Sequence, residues 1–204
     1  MRIAAIMRHA EPEDPRGELP LAAGRDRRLT EQGRRQCEAA RTWLTGLAPV
    51  CVISSDSPRA IETAQLVGAP LTPTIIPELA GMRLGVWEEE PLQAVTDRVR
   101  GLVAGAVPAP PGAESIAELS ERVRRAFDQA LPAEGNVLVV AHRLVNAVLL
   151  AELLGLPPEE ALSVPQDHAN VSLLSLEDTR DQLLALNVTP LAPLRLERRE
   201  VDNL

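Results

Sequence analysis

At 204 residues, 45% hydrophobic and 25% charged, the chain has the balance of a globular protein and the length for one domain, at most two. Its 21 basic residues are all arginine, against 29 acidic ones, for a net charge of −8. Without lysine, Schiff-base chemistry and the usual phosphate-binding P-loop are excluded. The acidic balance and the scarcity of aromatics (Trp43, Trp87 and Phe127) disfavour a nucleic-acid partner.

In chain order, residues 2–7 are an apolar run suited to a buried strand. A polar stretch with proline and glycine, Glu11 to Arg28, reads as loop. Thr30 caps a predicted helix running to about Leu47, with Cys37, Ala40, Leu44 and Leu47 at helical spacing. Residues 50–54 are a second buried strand. Ser57-Pro58, a cap residue followed by proline, opens a helix to about Val67. Residues 74–76 suggest a brief third strand, and 92–103 a helix.

Residues 107–112 are loop. Ser115 and Glu118 form a capping box ahead of a helix whose apolar face is Ile116, Leu119, Val123, Phe127 and Ala130. Residues 136–141 are another buried strand, followed at once by a helix to about Leu154. Residues 171–176 and 182–188 read as late strands, a candidate hairpin, and the charged last ten or so residues are expected to fray. Strands apolar on both faces alternating with helices predict an α/β fold, a three-layer α/β/α sandwich with a mainly parallel central sheet. No linker divides the chain, so residues 1–204 are expected to form a single domain.

No apolar run approaches the ~20 residues of a membrane span. The opening residues turn polar too early for a secretory signal, and Cys37 and Cys51 lack metal-motif partners. The expected setting is cytoplasmic, with both cysteines reduced and in the core. The sequence does not set an oligomeric state.

In open parallel sheets, ligands bind beyond the carboxyl ends of the strands. There the first strand ends in Arg8-His9, the second in Ser54-Ser55 with Arg59 in the next helical turn, and the strand at 136–141 in His142. Guanidinium forks match phosphate oxygens, and the helix start near Arg59 favours an anion. A neutral imidazole is a competent nucleophile near pH 7, and a second, cationic one can hold oxygens as charge builds on them. Each residue alone is ordinary: a histidine after a strand is usually a satisfied loop residue, and an arginine usually a solvated charge. Together they predict a pocket for a small phosphorylated substrate. His168, in a loop with no evident partner, reads as structural. Arg25–Arg28 and Arg122–Arg125 read as solvated faces.

These residues resemble the histidine phosphatase superfamily, the phosphoglycerate mutase-like proteins, over most of the chain. The family's Arg-His-Gly is here Arg8-His9-Ala10, and its Leu-Thr-x-x-Gly-x-x-Gln is Leu29, Thr30, Gly33 and Gln36. Ser54, Ser55, Arg59, Ala60, Thr63 and Ala64 match its serine pair and the following Arg-Ala and Thr-Ala. Gly112–Ser115, His142-Arg143 and Asn170-Val171-Ser172 match later elements.

The resemblance implies that His9 becomes a phosphohistidine. It implies that Arg8, Arg59 and His142 bind the phosphoryl group, that water completes hydrolysis, and that no metal or organic cofactor takes part. It also makes residues 77–118 the expected substrate-specificity segment. Glycine after each catalytic histidine is replaced, by Ala10 and Arg143. In the family's Leu-x-Glu-x-x-x-Gly-x-Trp-Glu, Leu79, Gly85, Trp87 and Glu88 align, but the acid position is Gly81. Glu78 and Glu11 are candidate replacements for this general acid, and Glu88 is expected to be structural. A phosphohistidine phosphatase, whose leaving imidazole already carries a proton, and a non-catalytic phospholigand-binding protein are the alternatives. A mutase is disfavoured by the few basic residues in 60–141.

Overall fold

The run RIAAIMR forms β1 (Arg2–Arg8), and its side chains alternate between two apolar layers. Ile3, Ala5 and Met7 join one core cluster, Ala4 and Ile6 the other. The computed structural model describes residues 2–14, 16–176 and 182–190.

Five further strands, β2 (Cys51–Ser54), β3 (Thr74–Ile75), β4 (Val137–Ala141), β5 (Val171–Leu176) and β6 (Gln182–Val188), complete a six-stranded sheet of order β3-β2-β4-β1-β5-β6. The β3-β2, β2-β4 and β4-β1 pairings are parallel, and β1-β5 and β5-β6 antiparallel. The expected mainly parallel sheet is present, with the late strands as its antiparallel edge.

Helices α1 (Glu31–Leu44) and α2 (Pro58–Gly68) cover one face, packing Cys37, Ala40, Leu44, Ala60 and Ala64 against Met7, Val52 and Val140. Helices α4 (Ile116–Ala130) and α5 (Arg143–Leu153) cover the other, packing Leu119, Val123, Phe127 and Val148 against Ile6, Ile53 and Val139. The third layer follows from this alternation, because apolar residues on both faces of a strand must be covered twice. Helix α3 (Leu92–Val103) builds a separate small core in which Val95 and Leu102 meet Leu84 and Trp87, with the Arg98 guanidinium 5.2 Å from the Trp87 ring centre.

The local signals hold in detail. Thr30 Oγ1 accepts from Gly33 N–H at 2.9 Å, and both halves of the Ser115–Glu118 capping box form. Short 3₁₀ turns occupy 22–24, 77–79, 85–89 and 158–163, where single turns leave no periodicity to read. Ser57 precedes α2 as expected, but its side chain makes no capping bond. Cys37 is buried, and burial pushes its thiol up to about 12. The fraying expected of the last residues lies outside the described residues, as does residue 15 of the loop. No described helix is long and apolar enough to cross a membrane.

Candidate active site

Parallel register assembles the site. Arg8 lies opposite Ala141 and Ser54 opposite Val140, so the residues leaving β1, β4 and β2 emerge side by side. His9 and His142 are both buried, and their rings stand edge to face with centres 5.3 Å apart. They meet at the floor of a cavity of about 840 Å³, lined also by Arg8, Arg59, Gly81 and Arg143.

The turn carrying His9 is held by the motifs that flank it in sequence. Ala10 N–H donates to Thr63 Oγ1 at 3.0 Å, and Thr63 in turn donates to the Arg59 carbonyl at 2.7 Å. Glu11 N–H donates to Gln36 Oε1 at 2.9 Å, and the Glu11 carbonyl accepts from Thr30 N–H at 3.0 Å. The start of α1 presses so closely on this turn that a Cβ at Gly33 would collide with the Glu11 carbonyl oxygen. The residues of Leu-Thr-x-x-Gly-x-x-Gln are therefore clamps on the chain just beyond His9.

Donor logic assigns the ring nitrogens. A guanidinium cannot accept, so the 3.3 Å contact from Arg59 Nε makes His9 Nε2 an acceptor. His9 Nδ1 then carries the proton and donates to the Ala10 carbonyl at 2.8 Å. His142 Nδ1 faces Arg59 Nη2 at 3.4 Å, so its Nε2–H points to Ser55 Oγ at 2.9 Å and Ser57 Oγ at 3.3 Å. Ser57 thus turns toward the imidazole rather than capping α2.

Electrostatics agree with neutral rings. Burial, then His142, Arg59 and Arg8, hold His9 well below the usual histidine range. Burial, Arg59, Arg8 and Arg122 do the same to His142. Arg8 falls to about 10 through burial and then Arg143, and Arg59 to about 10 through burial and then Arg27. Both arginines remain charged at pH 7, close together and with no carboxylate within ion-pair distance among the described residues. That arrangement leaves an anion-sized deficit of negative charge at the cavity floor.

His168, read from sequence as structural and partnerless, belongs to this constellation. Its Nε2 accepts from Arg8 Nη2 at 3.0 Å, and its Nδ1 donates to the His9 carbonyl at 3.2 Å. Burial and then Arg8 lower it to about 4. Arg8 is further fixed by the Gln166 carbonyl at 2.8 Å.

The arginine-rich stretches are solvated faces only in part: Arg25, Arg28 and Arg125 are exposed as expected, but Arg27 and Arg122 are not. Arg122 grips the buried Glu114 through both carboxylate oxygens, at 2.6 and 3.1 Å. It also donates to the carbonyls of Glu78 and Ala80, clamping the loop that carries Gly81. Arg83 binds the same Glu114 through its backbone N–H at 2.8 Å and its guanidinium at 3.1 Å. Arg25 lines the cavity and pairs with Glu88, whose other oxygen accepts from Leu84 N–H at 3.0 Å.

Of the two candidate acids, Glu78 lines the cavity. Glu11 does not, and its carboxylate accepts from the Thr30 hydroxyl at 2.8 Å. Gly81 lines the cavity beside His142. Arg143, the first residue of α5, also lines it, with an exposed side chain. Among the described residues no cluster of three or more His, Cys, Asp or Glu side chains is grouped to hold a metal.

The sequence profile of the histidine phosphatase superfamily, branch 1, matches residues 4–189, a span that contains every residue of this floor. The chain belongs to that superfamily. This histidine phosphatase-superfamily chain is 31% identical over 166 residues to a Yersinia enterocolitica protein named as a probable phosphoglycerate mutase, GpmB, with 76% of each chain covered. Among solved structures it superposes on the alpha-ribazole phosphatase from Shigella flexneri with a TM-score of 0.75, at 25% identity, covering 96% of this chain and 100% of that one. The mycobacterial glucosyl-3-phosphoglycerate phosphatase, complexed with VO3, gives a TM-score of 0.78 at 27% identity, covering 92% and 99%. The superfamily fold and the strand-end site thus coincide in this chain.

Proposed function

We propose that the protein hydrolyses a small phosphomonoester by double displacement, with His9 as the nucleophile. The observation that carries this reading is the floor itself: a neutral imidazole whose unprotonated Nε2 faces Arg59, set among two charged guanidiniums and a second imidazole. Phosphatases among the structural neighbours support it.

The steps follow from the geometry. Arg59 Nε occupies the His9 lone pair in the free protein. A phosphoryl group entering the floor draws the guanidinium onto its own oxygens, which frees Nε2 to attack phosphorus in line with the ester oxygen. The P–O bond breaks, the alcohol departs, and phosphorus is left on His9 Nε2. Arg8, Arg59 and His142 hold the three equatorial oxygens, where the spread of charge makes fixed donors most effective. Water then attacks phosphorus from the vacated side, the P–N bond breaks with its electron pair returning to Nε2, and inorganic phosphate leaves while the water's proton replaces the one given to the alcohol. The Ala10 carbonyl keeps the His9 Nδ1 proton in place and stabilises the cationic phosphoimidazole.

The leaving alcohol needs a proton. With Gly81 on the wall beside His142, we assign this site an impaired general acid, and Glu78, which lines the cavity where Glu11 does not, is the candidate to substitute. Esters of acidic alcohols then react faster than alkyl esters. The same feature favours a second reading, phosphohistidine as substrate, because imidazole leaves without needing that acid. The setting we assign is cytoplasmic, in a single domain over residues 1–204, with residues 77–118 setting specificity.

Rapid-quench single turnover with a ³²P-labelled phosphomonoester tests the reading. Acid-labile label on His9, absent from His9→Ala, is expected together with release of inorganic phosphate. No label, or label that survives His9→Ala, overturns it, and phosphate binding without turnover would make the protein a phospholigand receptor.

A further inference from the structure

Six arginines line the cavity. Arg25 is bound to Glu88, and Arg83 and Arg122 to Glu114. The other three, Arg8, Arg59 and Arg143, make no ion pair with a described carboxylate. Arg8 and Arg59 are pinned to the floor by His168, His9 and the carbonyls of Gln166 and Gly24. Arg143 is placed differently. It directly follows the buried His142, about 3.8 Å away along the chain, yet its side chain is exposed at the rim. Its charge reaches the floor, where it is the second cause, after burial, of the lowered Arg8.

A phosphoryl group on the floor is already faced by two guanidiniums and an imidazole. The cavity's volume of about 840 Å³ leaves ample room above it for the alcohol part of the substrate. An exposed guanidinium that lines the same cavity and has no described carboxylate partner is a ready-made fork for a second set of oxygens.

We propose that Arg143 forms a rim subsite for a second oxyanion, so that the preferred substrate is a phosphomonoester carrying a carboxylate or a further phosphate within a few bonds of its ester oxygen. This rests on the phosphatase reading above and adds a substrate class to it. The floor reads the phosphoryl group, and the rim reads the charge of what is attached to it.

Matched esters test it. Glycerol 3-phosphate is compared with 3-phosphoglycerate, and phenyl phosphate with 2-carboxyphenyl phosphate, in the wild type, Arg143→Gln and Arg143→Gly. Both kcat/KM and calorimetric affinity are read. A charge-assisted contact predicts that the carboxylated member is favoured about tenfold in the wild type and that both variants lose this preference. The proposal is overturned by no preference in the wild type or by a preference that survives both variants. Equal losses for both members of a pair also overturn it, since Arg143 would then be clamping the phosphoryl group itself. Failure to turn over any of the four esters counts against the phosphatase reading instead, and the ratio of affinities still decides the subsite.

Discussion

Gly81→Glu supplies a carboxyl group where the cavity wall beside His142 has none. The site accepts it: a Cβ built on Gly81 has His142 Cγ, at 3.9 Å, as its nearest neighbour, which is ordinary contact. From that Cβ an extended glutamate reaches roughly 3.6 Å further, by ordinary bond lengths and angles, which carries its carboxyl group into the cavity beside His142. General acid catalysis typically contributes about 10²–10⁴-fold, or about 3–5 kcal/mol of barrier. The gain falls on alcohols that leave poorly. We expect kcat/KM for glycerol 3-phosphate to rise about 100-fold or more, while 4-nitrophenyl phosphate, whose phenolate leaves unaided, changes by less than about tenfold. The assay is the ratio of the two rates in the wild type and the variant across pH 5–8. An unchanged ratio refutes the reasoning. So does a wild type that already cleaves both esters at similar rates, because a carboxyl group such as Glu78 would then be supplying the proton in full and the acid would not be impaired.

Arg59→Ala should weaken inorganic phosphate binding by about 2–4 kcal/mol, roughly 30- to 1,000-fold, as measured by calorimetry, and an unchanged affinity would place Arg59 outside the site. His168→Ala should lower kcat/KM about tenfold, and His168→Gln, whose amide oxygen can still accept from Arg8, should restore most of it. Burial and then Arg8 lower His168, whereas its bond to the His9 carbonyl, Glu11 and Asp167 raise it, and it ends at about 4. A histidine held below its unfolded value of 6.5 contributes stability above that value and loses it as the pH falls toward 4. Denaturant-derived stability should therefore decline across that window by at most about 3 kcal/mol less in His168→Gln, and identical slopes in the two proteins would reject the assignment. Phosphate binding near pH 7 should take up protons, because a dianion beside the neutral His142 raises its pKa. Calorimetry in buffers of different ionisation enthalpy reads this directly, and no uptake would mean that His142 does not meet the phosphoryl group.

Strand-end chemistry was legible in the sequence because a parallel sheet delivers it by rule. His9 and His142 follow directly on β1 and β4, Arg59 lies in the first turn of the helix after β2, and parallel register brings these strand ends side by side. Thr30 was legible as a helix cap, whereas Gly33 and Gln36 were marked only by the family motif, and their place along the chain beyond His9 came from the structure. His168 could not be read this way. It reaches Arg8 only because β5 runs antiparallel beside β1, with Met7 opposite Val171, and no local signal names a strand's partner. Arg122 did leave a trace. It sits three residues after Leu119 and one before Val123, at the margin of the buried stripe of α4, where a charge needs a partner. That partner, Glu114, lies eight residues earlier, across the start of the helix, so helix-surface spacing does not point to it. The single turns at 77–79 and 85–89 carry no period, yet they fix the wall that bears Gly81.

The charge arrangement explains why such a site persists in a chain of net charge −8. Distant surface carboxylates are screened within about 10 Å in ordinary salt, so they do little to neutralise guanidiniums at the bottom of a cavity. The floor could have been relieved by a carboxylate beside Arg8 or Arg59, as Glu114 relieves Arg83 and Arg122. Such a group would compete with phosphate for the same donors. Histidine is the side chain that serves instead. Neutral, it accepts a hydrogen bond from each arginine, as His168 does from Arg8 and His9 from Arg59, and it adds no negative charge. The guanidiniums are thereby oriented but not neutralised, and the imidazole that orients Arg59 is also the proposed nucleophile. Burying these guanidiniums beside other arginines, with only neutral partners to orient them, costs stability, seen in the lowered Arg8 and Arg59, and leaves the field of two cations for an incoming oxyanion.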